Sequence, residues 1–585
     1  MSGSKPEGAP RRAGRTAVVL AVLMAVAGPL CVYDHAREDT LSADEPIHLL
    51  AGLWMVERQN AIVNMEHPPL MKLLSGFSLA RLALAPLPAQ VPVGMDFMDW
   101  GRGFLFGNRV PVDAIVAAAR APFPILFGLL ILLVFAAARR LWGAGPALFA
   151  AALIAFDPNL AAHAGVVHTD LGAALTFLAA ILAWDSVLTR PSPARHALAA
   201  AALAAALLTK FSSVYLVAIM PLQALLLSRR QRQPGRALGK SALGFAVVTS
   251  GAMLLVLAIY AFVTARMDLA MQRAVIHEMV GLRGAPRLSG AIESLAGFSP
   301  PLAHYLGGLA SVFQQNAVGG GVNFLNGQAR TAAGFPQYFF VAFFAKSAPG
   351  FVVLAAVLLA ALASGGAWAR VREEARVFLV PVAVLFLASI GSSYNIGVRH
   401  LLPVYPLLAL SGAGLFARLA PRRGAVLALA LLPLCSAVEL ARIHPHELSY
   451  FNPFVGGPER GRLLLSDSNV DWGLELKRLA AEVRRRGAAD PTVVYFGGDD
   501  VLFRMGVPDF ASAPERRTPF VAVSAVQAAI GPAFYRYHGA PGQARALEAL
   551  LADLARRGRH LGRVGYAFDL WELPQGQRGA AAATP

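Results

Sequence analysis

Long apolar runs dominate this chain and decide what it can fold into. Examples are AVVLAVLMAVAGPLCVY, FPILFGLLILLVFAAA and KSALGFAVVTSGAMLLVLAIYAFV. Each approaches or exceeds the roughly 20 residues that a helix needs to cross a hydrocarbon core. Of the 585 residues, 56% are hydrophobic and only 15% are charged, which is unlike a water-soluble domain. The sequence therefore predicts an α-helical protein that crosses a membrane many times.

Hydropathy predicts about eleven transmembrane helices. The predicted intervals are 17–33, 119–138, 142–156, 171–188, 197–208, 213–228, 240–263, 338–362, 376–391, 400–418 and 424–441. If the basic N-terminus is cytoplasmic, the positive-inside bias is satisfied throughout, because the alternate loops on that side carry the basic residues. These are Arg139, Arg140, Arg190, Arg195, Arg229, Arg230, Arg232, Arg236, Lys240, Arg370, Arg372, Arg376, Arg418, Arg422 and Arg423.

This topology divides the chain into three parts. Residues 1–16 form a basic cytoplasmic N-terminus, and residues 17–441 form a transmembrane domain with two large outward loops at 34–118 and 264–337. Residues 442–585 differ in composition, because the strand-like runs LLLS, TVVYF, FVAVS and VGYAF alternate with a basic helical segment, LELKRLAAEVRRR. This pattern predicts a C-terminal soluble α/β domain on the outer side of the membrane.

Composition also argues against some functions. The net charge is +17, but much of the excess arginine lies in the short loops that orient membrane helices, so we expect no nucleic acid as a partner. Cys31 and Cys435 lie in or beside apolar runs, which is not the pattern of a disulfide framework. No convincing GxxxxGK[ST] phosphate loop is present, and no nucleotide cofactor is predicted.

Two acidic residues follow the first apolar run in the string SADEPIH. Asp44 and Glu45 are explained most simply as residues that cap and begin a helix. A carboxylate at a membrane face could also remove the proton from a hydroxyl that attacks a sugar. About twenty residues later, NMEHPPLMKLL adds Glu66, His67 and Lys72 to the same loop. These residues offer a possible metal ligand and cations that could pair with phosphate.

These two motifs, in this order, resemble the GT-C glycosyltransferases. The most similar pattern is that of the protein O-mannosyltransferase and aminoarabinose transferase superfamily, which uses polyprenyl-phosphate sugars. Further strings match in register: DPNLAAHAGVVHTD with Asp170, LLTKFSS with Lys210, FVAFFAKSAP with Lys346, and YNIGVRHLLPVYP with Arg399 and His400. The resemblance covers most of residues 17–441 and implies the GT-C fold.

The resemblance also implies roles for these residues. Asp44 would be the general base, with Glu45 and Asp170 as further acidic catalytic residues, and Glu66 would be a ligand for a divalent metal cation or for the acceptor loop. The side chains expected to hold the donor phosphate are His67, Lys72, Lys210, Lys346, Arg399 and His400. His67 stands where the aminoarabinose transferases have a lysine.

The predicted function is therefore an inverting glycosyltransferase of the bacterial inner membrane. It would move a sugar from a polyprenyl-phosphate donor to an envelope acceptor, which could be a protein hydroxyl, lipid A or a glycan, at the outer, periplasmic face among the membrane lipids. The alternative is a polytopic transporter or flippase, and a third hypothesis is an envelope docking protein. Transporters tend to carry ionisable residues near the membrane midplane, whereas here they cluster at the outward ends of the predicted spans.

The tail carries two further strings, HPHELSYFNPFVGG and LLLSDSNVDWGLELKRL. The second resembles a segment that recurs in bacterial members of the superfamily. Its Asp467, Asn469 and Asp471 could bind a ligand or an ion, but a turn and a helix cap explain them more simply. His444 and His446 are close enough in sequence to bind a metal, although two histidines alone are a weak motif.

Overall fold

The computed structural model describes residues 9–88, 96–319, 321–364, 375–419, 422–488, 490–498 and 518–574. Several sequence-based expectations lie outside these residues: most of the basic N-terminus (1–8) and the loop residues Arg370 and Arg372 with the side chain of Arg376. The described chain is mostly helical.

The described residues up to Val318 contain fifteen α-helices. Their bounds are α1 Ala9–Glu38, α2 Glu45–Arg58, α3 Pro69–Leu79, α4 Phe97–Phe106, α5 Val112–Arg120, α6 Pro122–Trp142, α7 Ala144–Ala155, α8 Pro158–Ala164, α9 Asp170–Thr189, α10 Pro193–Thr209, α11 Leu216–Ser228, α12 Pro234–Val263, α13 Leu269–Ile276, α14 Pro286–Leu295 and α15 Pro300–Val318.

The second half adds shorter helices and two sheets. The helices are α16 Tyr338–Lys346, α17 Pro349–Ala363, α18 Val380–Ile390, α19 Val404–Leu419, α20 Arg423–Ile443, α21 Gly457–Leu464, α22 Leu476–Arg485, α23 Ala525–Tyr537 and α24 Pro541–Arg557. The strands are β1 Val322–Leu325, β2 Gln328–Thr331, β3 Thr492–Val494, β4 Phe520–Ser524, β5 Arg559–Val564 and β6 Phe568–Glu572.

The chain is a multi-pass membrane protein. Among the described residues, six helical segments are long and apolar enough to cross a membrane, or seven if the bent pair α7 and α8 is one span. Shorter apolar helices occupy Pro193–Thr209, Pro349–Ala363, Val377–Ile390 and Val404–Leu419. Every interval predicted as a span thus contains a helix, while the number of crossings remains a prediction. Large apolar side chains such as Leu23, Leu30 and Leu254 are more than half exposed, as expected for helices that face lipid.

Helices α2 and α3 lie within the segment predicted as the first outward loop and pack against each other through two glycines. A Cβ atom on Gly52 would collide with the carbonyl oxygen of Lys72, and one on Gly76 would collide with the carbonyl oxygen of Gly52. Only glycine permits this close approach of the two backbones. The contact fixes where α2 and α3 present their side chains.

The tail contains a four-stranded sheet in the order β3-β4-β6-β5, in which β3 and β4 are parallel and the other pairs are antiparallel. Side chains of α22 pack on one face around Ala522, and side chains of α24 pack on the other around Val521 and Val523. Alternation along β4 puts these residues on opposite faces. The strand expectation for LLLS was wrong, because Leu463 and Leu464 end α21.

The tail is joined to the first outward loop by backbone hydrogen bonds. The N–H of Thr40 donates to the carbonyl oxygen of Leu474 at 2.9 Å, and the N–H of Ala43 donates to that of Trp472 at 2.8 Å. Residues near the start of the chain and residues near 470 therefore form one continuous structure beside the ends of the helices.

A buried ion pair holds the turn between α1 and α2. Arg120, the last residue of α5, donates to both carboxylate oxygens of Glu45 at 2.8 and 2.6 Å. It also donates to the carbonyl oxygens of Ala36 at 2.7 Å and Thr40 at 2.6 Å. The Arg120 and Glu45 side chains are 4% and 0% exposed. This single guanidinium therefore connects the end of α1, the turn and the start of α2.

We expect Arg120→Ala to lower the free energy of unfolding by about 3–5 kcal/mol, because it leaves Glu45 buried without its partner. The matched control is Arg102→Ala, which removes a partly exposed pair with Asp99 and should cost at most about 1 kcal/mol. Chemical denaturation of the purified protein in detergent measures both. Equal losses for the two variants would contradict the role given to Arg120.

Candidate functional site

Asp44 lies in the turn directly before α2, and its side chain makes no capping hydrogen bond. Its Oδ2 atom lies instead 3.5 Å from Nε2 of His168 and 3.4 Å from Nη1 of Arg399. The Asp44 side chain is 36% exposed, whereas those of His168 and Arg399 are 4% and 7% exposed. Asp44 is thus a carboxylate with two buried basic side chains on one side and open space on the other.

The surroundings keep Asp44 ionised. Burial acts to raise the pKa of Asp44, but the interaction with His168 and the charge of Arg399 outweigh it and hold the pKa well below its ordinary value. A carboxylate in this state accepts a hydrogen bond well but is a weak base. Moving Arg399 away from Asp44, for example onto an anionic ligand, would raise the basicity of Asp44.

Asp170 begins α9 and is fully buried between two basic groups. Its Oδ1 atom accepts a hydrogen bond from Nζ of Lys210 at 2.5 Å, and its Oδ2 atom lies 2.6 Å from Nδ1 of His168. Lys210 follows the last residue of α10, as the sequence predicted. Asp170 therefore orients both His168 and Lys210, and through His168 it is connected to Asp44.

Arg399 is held by the tail of the chain. It lies in the short 3-10 turn Val398–Leu401, and the side-chain oxygen of Asn469 accepts the N–H of Val398 at 3.0 Å. The guanidinium carbon lies 4.2 Å from the centre of the Trp472 ring. Its Nε atom is buried without a hydrogen-bond partner among the described residues. The described residues therefore leave the Nε–H group of Arg399 unpaired, and a ligand could accept a hydrogen bond from it.

The string DSNVDWG thus forms one wall of the site. The hydroxyl of Ser468 donates to the carbonyl oxygen of Ile396, and the Trp472 ring lies 5.0 Å from that of His168, edge to face. Asp467 and Asp471 accept hydrogen bonds from the backbone just after them, which agrees with the simpler explanation as turn residues.

Three histidines come together beside Asp44. The ring centres of His48 and His67 are 4.9 Å apart, those of His48 and His168 are 4.9 Å apart, and those of His67 and His168 are 5.4 Å apart. One nitrogen of each ring lies within 4.8 Å of the others. The three side chains come from α2, from the loop before α3 and from the loop before α9.

This histidine cluster fits a transition metal. Burial lowers the pKa of His48 and His67 well below the ordinary value, so both imidazoles are neutral and offer lone pairs. Burial also acts to lower the pKa of His168, but Asp170 and Asp44 raise it above the ordinary value, and a divalent cation could replace that proton. Three imidazole nitrogens are a donor set that suits Zn²⁺.

Glu66, the residue expected to bind a metal, lies elsewhere. Its Oε1 atom lies 2.5 Å from Nη1 of Arg283 and accepts a hydrogen bond from Gln315 at 3.3 Å. The carboxylate thus connects the first outward loop to the second. His67, expected to bind phosphate, is instead in the histidine cluster, and His400 packs against the Phe339 ring at 5.9 Å.

Two lysines expected to bind phosphate hold the backbone instead. The Lys72 ammonium donates to the carbonyl oxygens of Asn64 and His67 at 2.6 and 2.7 Å, and burial lowers its pKa to about 7. The Lys346 ammonium donates to the carbonyl oxygens of Leu448 and Asn469 at 2.8 and 2.6 Å. Both side chains are 1% exposed, so neither ammonium is available to a ligand in this structure.

Glu45 was expected among the catalytic acids, but the structure gives it another position. Besides its pair with Arg120, it accepts hydrogen bonds from the N–H groups of Ser42 at 2.8 Å and Val167 at 2.9 Å. Its side chain is completely buried. Glu45 therefore fixes the backbone on both sides of the site, while Asp44 next to it faces the open space.

Sequence reasoning missed His48, His168 and Trp472. His48 is four residues after Asp44, which is one helical turn along α2, and His168 is two residues before Asp170. Both therefore lay inside strings already identified. Trp472 had no comparable signal, because its role depends on the contact between the tail and the membrane bundle.

Comparison with known proteins gives one family match. A family model described as dolichyl-phosphate-mannose-protein mannosyltransferase matches residues 113–255. The predicted resemblance to the GT-C glycosyltransferases is confirmed. The matched segment contains His168, Asp170 and Lys210, so part of the candidate site lies within it. No curated protein sequence matches the chain.

Solved structures of two kinds of GT-C enzyme are similar at low identity. The apo oligosaccharyltransferase of Archaeoglobus fulgidus is 12% identical, with a TM-score of 0.48 over 92% of this chain and 72% of that chain. The oligosaccharyltransferase AglB, also from Archaeoglobus fulgidus, in complex with an inhibitory peptide and a dolichol-phosphate, is 13% identical, with a TM-score of 0.44 over 95% of this chain and 74% of that chain. ArnT from Cupriavidus metallidurans in the apo state is 15% identical, with a TM-score of 0.33 over 95% and 98%.

Asp471 provides a pH test of the wall segment. Burial raises the pKa of Asp471 to about 8 from 3.8, so the folded protein holds a proton there that the unfolded chain releases. Stability should therefore fall as the pH rises between these two values. Asp471→Asn keeps an oxygen for the N–H of Gly473 but carries no charge, so its advantage in melting temperature over the wild type should grow steadily through this range.

The melting temperatures are best compared with those of Asp99→Asn, which changes an exposed acid. That control should follow the wild type at every pH. Parallel curves for Asp471→Asn and the wild type would show that Asp471 is ionised in the folded protein.

Proposed function

We propose that this protein is an inverting glycosyltransferase that takes its sugar from a polyprenyl-phosphate donor. The observation that carries the proposal is the position of Asp44, a partly exposed carboxylate in contact with Arg399 and, through His168 and Asp170, connected to Lys210. Transfer from a phosphate-linked sugar needs a base for the acceptor hydroxyl and cations for the leaving phosphate, and this cluster supplies both.

In the proposed reaction, Asp44 accepts the proton of the acceptor hydroxyl as its oxygen attacks the anomeric carbon. The bond from that carbon to the phosphate oxygen breaks, and polyprenyl phosphate leaves with the electron pair. Arg399 and Lys210 stabilise the charge that develops on the phosphate. Because the acceptor attacks from the side opposite the leaving group, the anomeric configuration inverts.

The donor phosphate would also activate the base. Arg399 lies 3.4 Å from Asp44, and a phosphate that draws the guanidinium away removes a charge that now lowers the pKa of Asp44. The base would therefore become stronger only when the donor is bound. Asp170 would act as a positioning residue, because its carboxylate is buried and holds His168 and Lys210.

A divalent cation could be bound by His48, His67 and His168. Its chemistry at this place would be that of a Lewis acid, which adds positive charge next to the leaving phosphate. The description of the matched family, a dolichyl-phosphate-mannose-dependent transferase, supports a lipid-phosphate sugar as donor. The acceptor would be a protein hydroxyl, lipid A or a glycan of the cell envelope.

The proposal includes the membrane topology that the sequence predicts. The chain would cross the bacterial inner membrane about eleven times, with a cytoplasmic N-terminus and a periplasmic C-terminal α/β domain. The alternative, a transporter or flippase, is less consistent with the position of the charges. Asp170 begins α9, Lys210 follows α10 and Arg399 precedes α19, so the ionisable groups of the site lie at helix ends and not at the middle of spans.

Asp44→Asn should lower the rate of sugar transfer by about a hundredfold to ten-thousandfold, because it removes the base and keeps the shape. The assay is transfer of a radiolabelled sugar from a panel of polyprenyl-phosphate donors to membrane extracts by the purified protein. The control is Asp99→Asn in the same outward loop, which should keep wild-type activity.

An Asp44→Asn variant as active as the control would overturn the assignment of the base. If the well-folded wild-type protein consumes none of the donors in the panel, the transporter hypothesis is favoured over the enzyme hypothesis.

Arg399→Gln should lower kcat/KM for the donor by about a hundredfold to a thousandfold, since it removes a cation from the developing phosphate charge. Trp472→Leu should lower it less, by roughly threefold to thirtyfold, because it removes only the ring under the guanidinium. The matched control is Arg330→Gln, whose guanidinium also lies 4.2 Å from an aromatic ring centre, that of Phe335.

Steady-state kinetics with varied donor measures all three variants. The proposal requires the smallest loss of kcat/KM for Arg330→Gln, a larger loss for Trp472→Leu and the largest loss for Arg399→Gln. An Arg399→Gln enzyme with the kinetics of the Arg330→Gln control would contradict the phosphate-binding role.

A further inference from the structure

A second group of metal-binding side chains lies away from the proposed transfer site. His35 is near the end of α1, His444 directly follows α20, and Glu447 lies in the 3-10 turn after it. One donor atom from each of these three residues lies within 4.8 Å of the others. The group therefore joins the end of the first long apolar helix to the exit of the last one.

Glu447 is the centre of this group. Its Oε1 atom lies 2.6 Å from Nδ1 of His444, and its Oε2 atom lies 3.4 Å from Nδ1 of His35. The two imidazole ring centres are 6.1 Å apart. Each histidine thus places a nitrogen near one oxygen of the same carboxylate, which is an arrangement that a cation could occupy with small movements of the side chains.

A small polar cavity lies beside the group. It is lined by His35 and Glu447 together with Asp39, His446, Asp471 and Glu475, among others, and has a volume of about 10 Å³, enough for one water molecule or one ion. Four of these six side chains are carboxylic acids, and Arg478 pairs with two of them, Asp39 and Glu475. The cavity therefore has room for one ion or one water molecule beside Glu447.

Two buried polar atoms in this cavity lack hydrogen-bond partners among the described residues. They are Nδ1 of His35, whose residue is 3% exposed, and Oδ2 of Asp471, whose residue is 1% exposed. Buried polar atoms are nearly always paired in native proteins, so each such atom needs an explanation. A cation held by the group would satisfy Nδ1 of His35, and a water molecule beside it would satisfy Oδ2 of Asp471.

The chemistry of the ligands selects the ion. Two imidazole nitrogens and one carboxylate oxygen are typical of Zn²⁺, whereas Ca²⁺ and Mg²⁺ prefer oxygen ligands alone. His444 is 39% exposed, which leaves one side open to water as a further ligand. An ion pair without metal is the simpler explanation of Glu447 and His444, but it leaves Nδ1 of His35 with only a long contact of 3.4 Å to Oε2 of Glu447 and no well-directed hydrogen bond.

We propose that His35, His444 and Glu447 form a zinc site that fastens the end of the first membrane helix to the exit of the last. This site is separate from the histidine cluster at Asp44 and does not depend on the proposed transfer reaction. The metal would cross-link two segments about 400 residues apart in sequence, and so stabilise the junction on which the tail rests.

The test uses the purified full-length chain with the substitution His67→Gln, which disables the histidine cluster at Asp44 and leaves the proposed site intact. Isothermal titration with Zn²⁺ should show one bound ion per chain. Adding His444→Gln should abolish binding or weaken it by about a hundredfold or more, since even the loss of an outer partner costs up to that factor. The matched control is His446→Gln, because His446 lines the same cavity but pairs with Glu475 and lies outside the proposed ligand set.

Co²⁺ titration followed by visible absorption gives a second measurement. Ligand-field bands should appear in the background chain and in the His446→Gln control, and should be absent after His444→Gln. Since His444 is partly exposed, its replacement should leave the elution profile of the protein unchanged. Zinc binding with equal affinity before and after His444→Gln, or a background chain that binds no zinc, would overturn the proposal.

Discussion

The candidate site depends first on a buried guanidinium. Arg120 binds both oxygens of Glu45 and the carbonyl oxygens at the end of α1, so it fixes the turn in which Asp44 lies. A buried arginine carries several donors in a rigid plane, and only such a group can hold a carboxylate and several carbonyl oxygens at once. With Glu45 fully occupied, its neighbour Asp44 is directed to the opposite side of the turn. Glu45 thus stabilises the structure of the turn, and Asp44 is left available for the chemistry.

The tail also supports the candidate site. Asn469 accepts from the backbone beside Arg399 and receives the Lys346 ammonium on its own carbonyl oxygen. Trp472 then lies under the Arg399 guanidinium and against His168. A segment far along the sequence thus supports the cation next to Asp44. This explains why a chain whose site residues lie mostly among the membrane helices also carries a conspicuous DSNVDWG string.

Several features could be predicted from the sequence because they are local. Each predicted apolar interval contains a helix, and Asp170 and Lys210 lie at helix ends as expected. Asp44, Asp170, Lys210 and Arg399 do come together. Lys72, Lys346, Glu45 and Glu66 could not be assigned in this way, since a lysine that binds phosphate and one that binds buried carbonyl oxygens look the same in a sequence. The end of helix α21, in the run LLLS, was mistaken for a strand because a short apolar run carries no period of its own.

The sequence by itself determined that this chain is a multi-pass helical membrane protein and that it resembles the GT-C glycosyltransferases. Apolar runs of spanning length and motifs of fixed order need no knowledge of contacts. Only the tertiary structure decided which charged groups face a ligand, because that depends on which partner each meets across the fold. The cluster of His48, His67 and His168 forms only because segments distant in sequence pack side by side. The contact of His35 with Glu447 has the same cause. Burial and pairing, which set the charge and availability of each group, are properties of that packing.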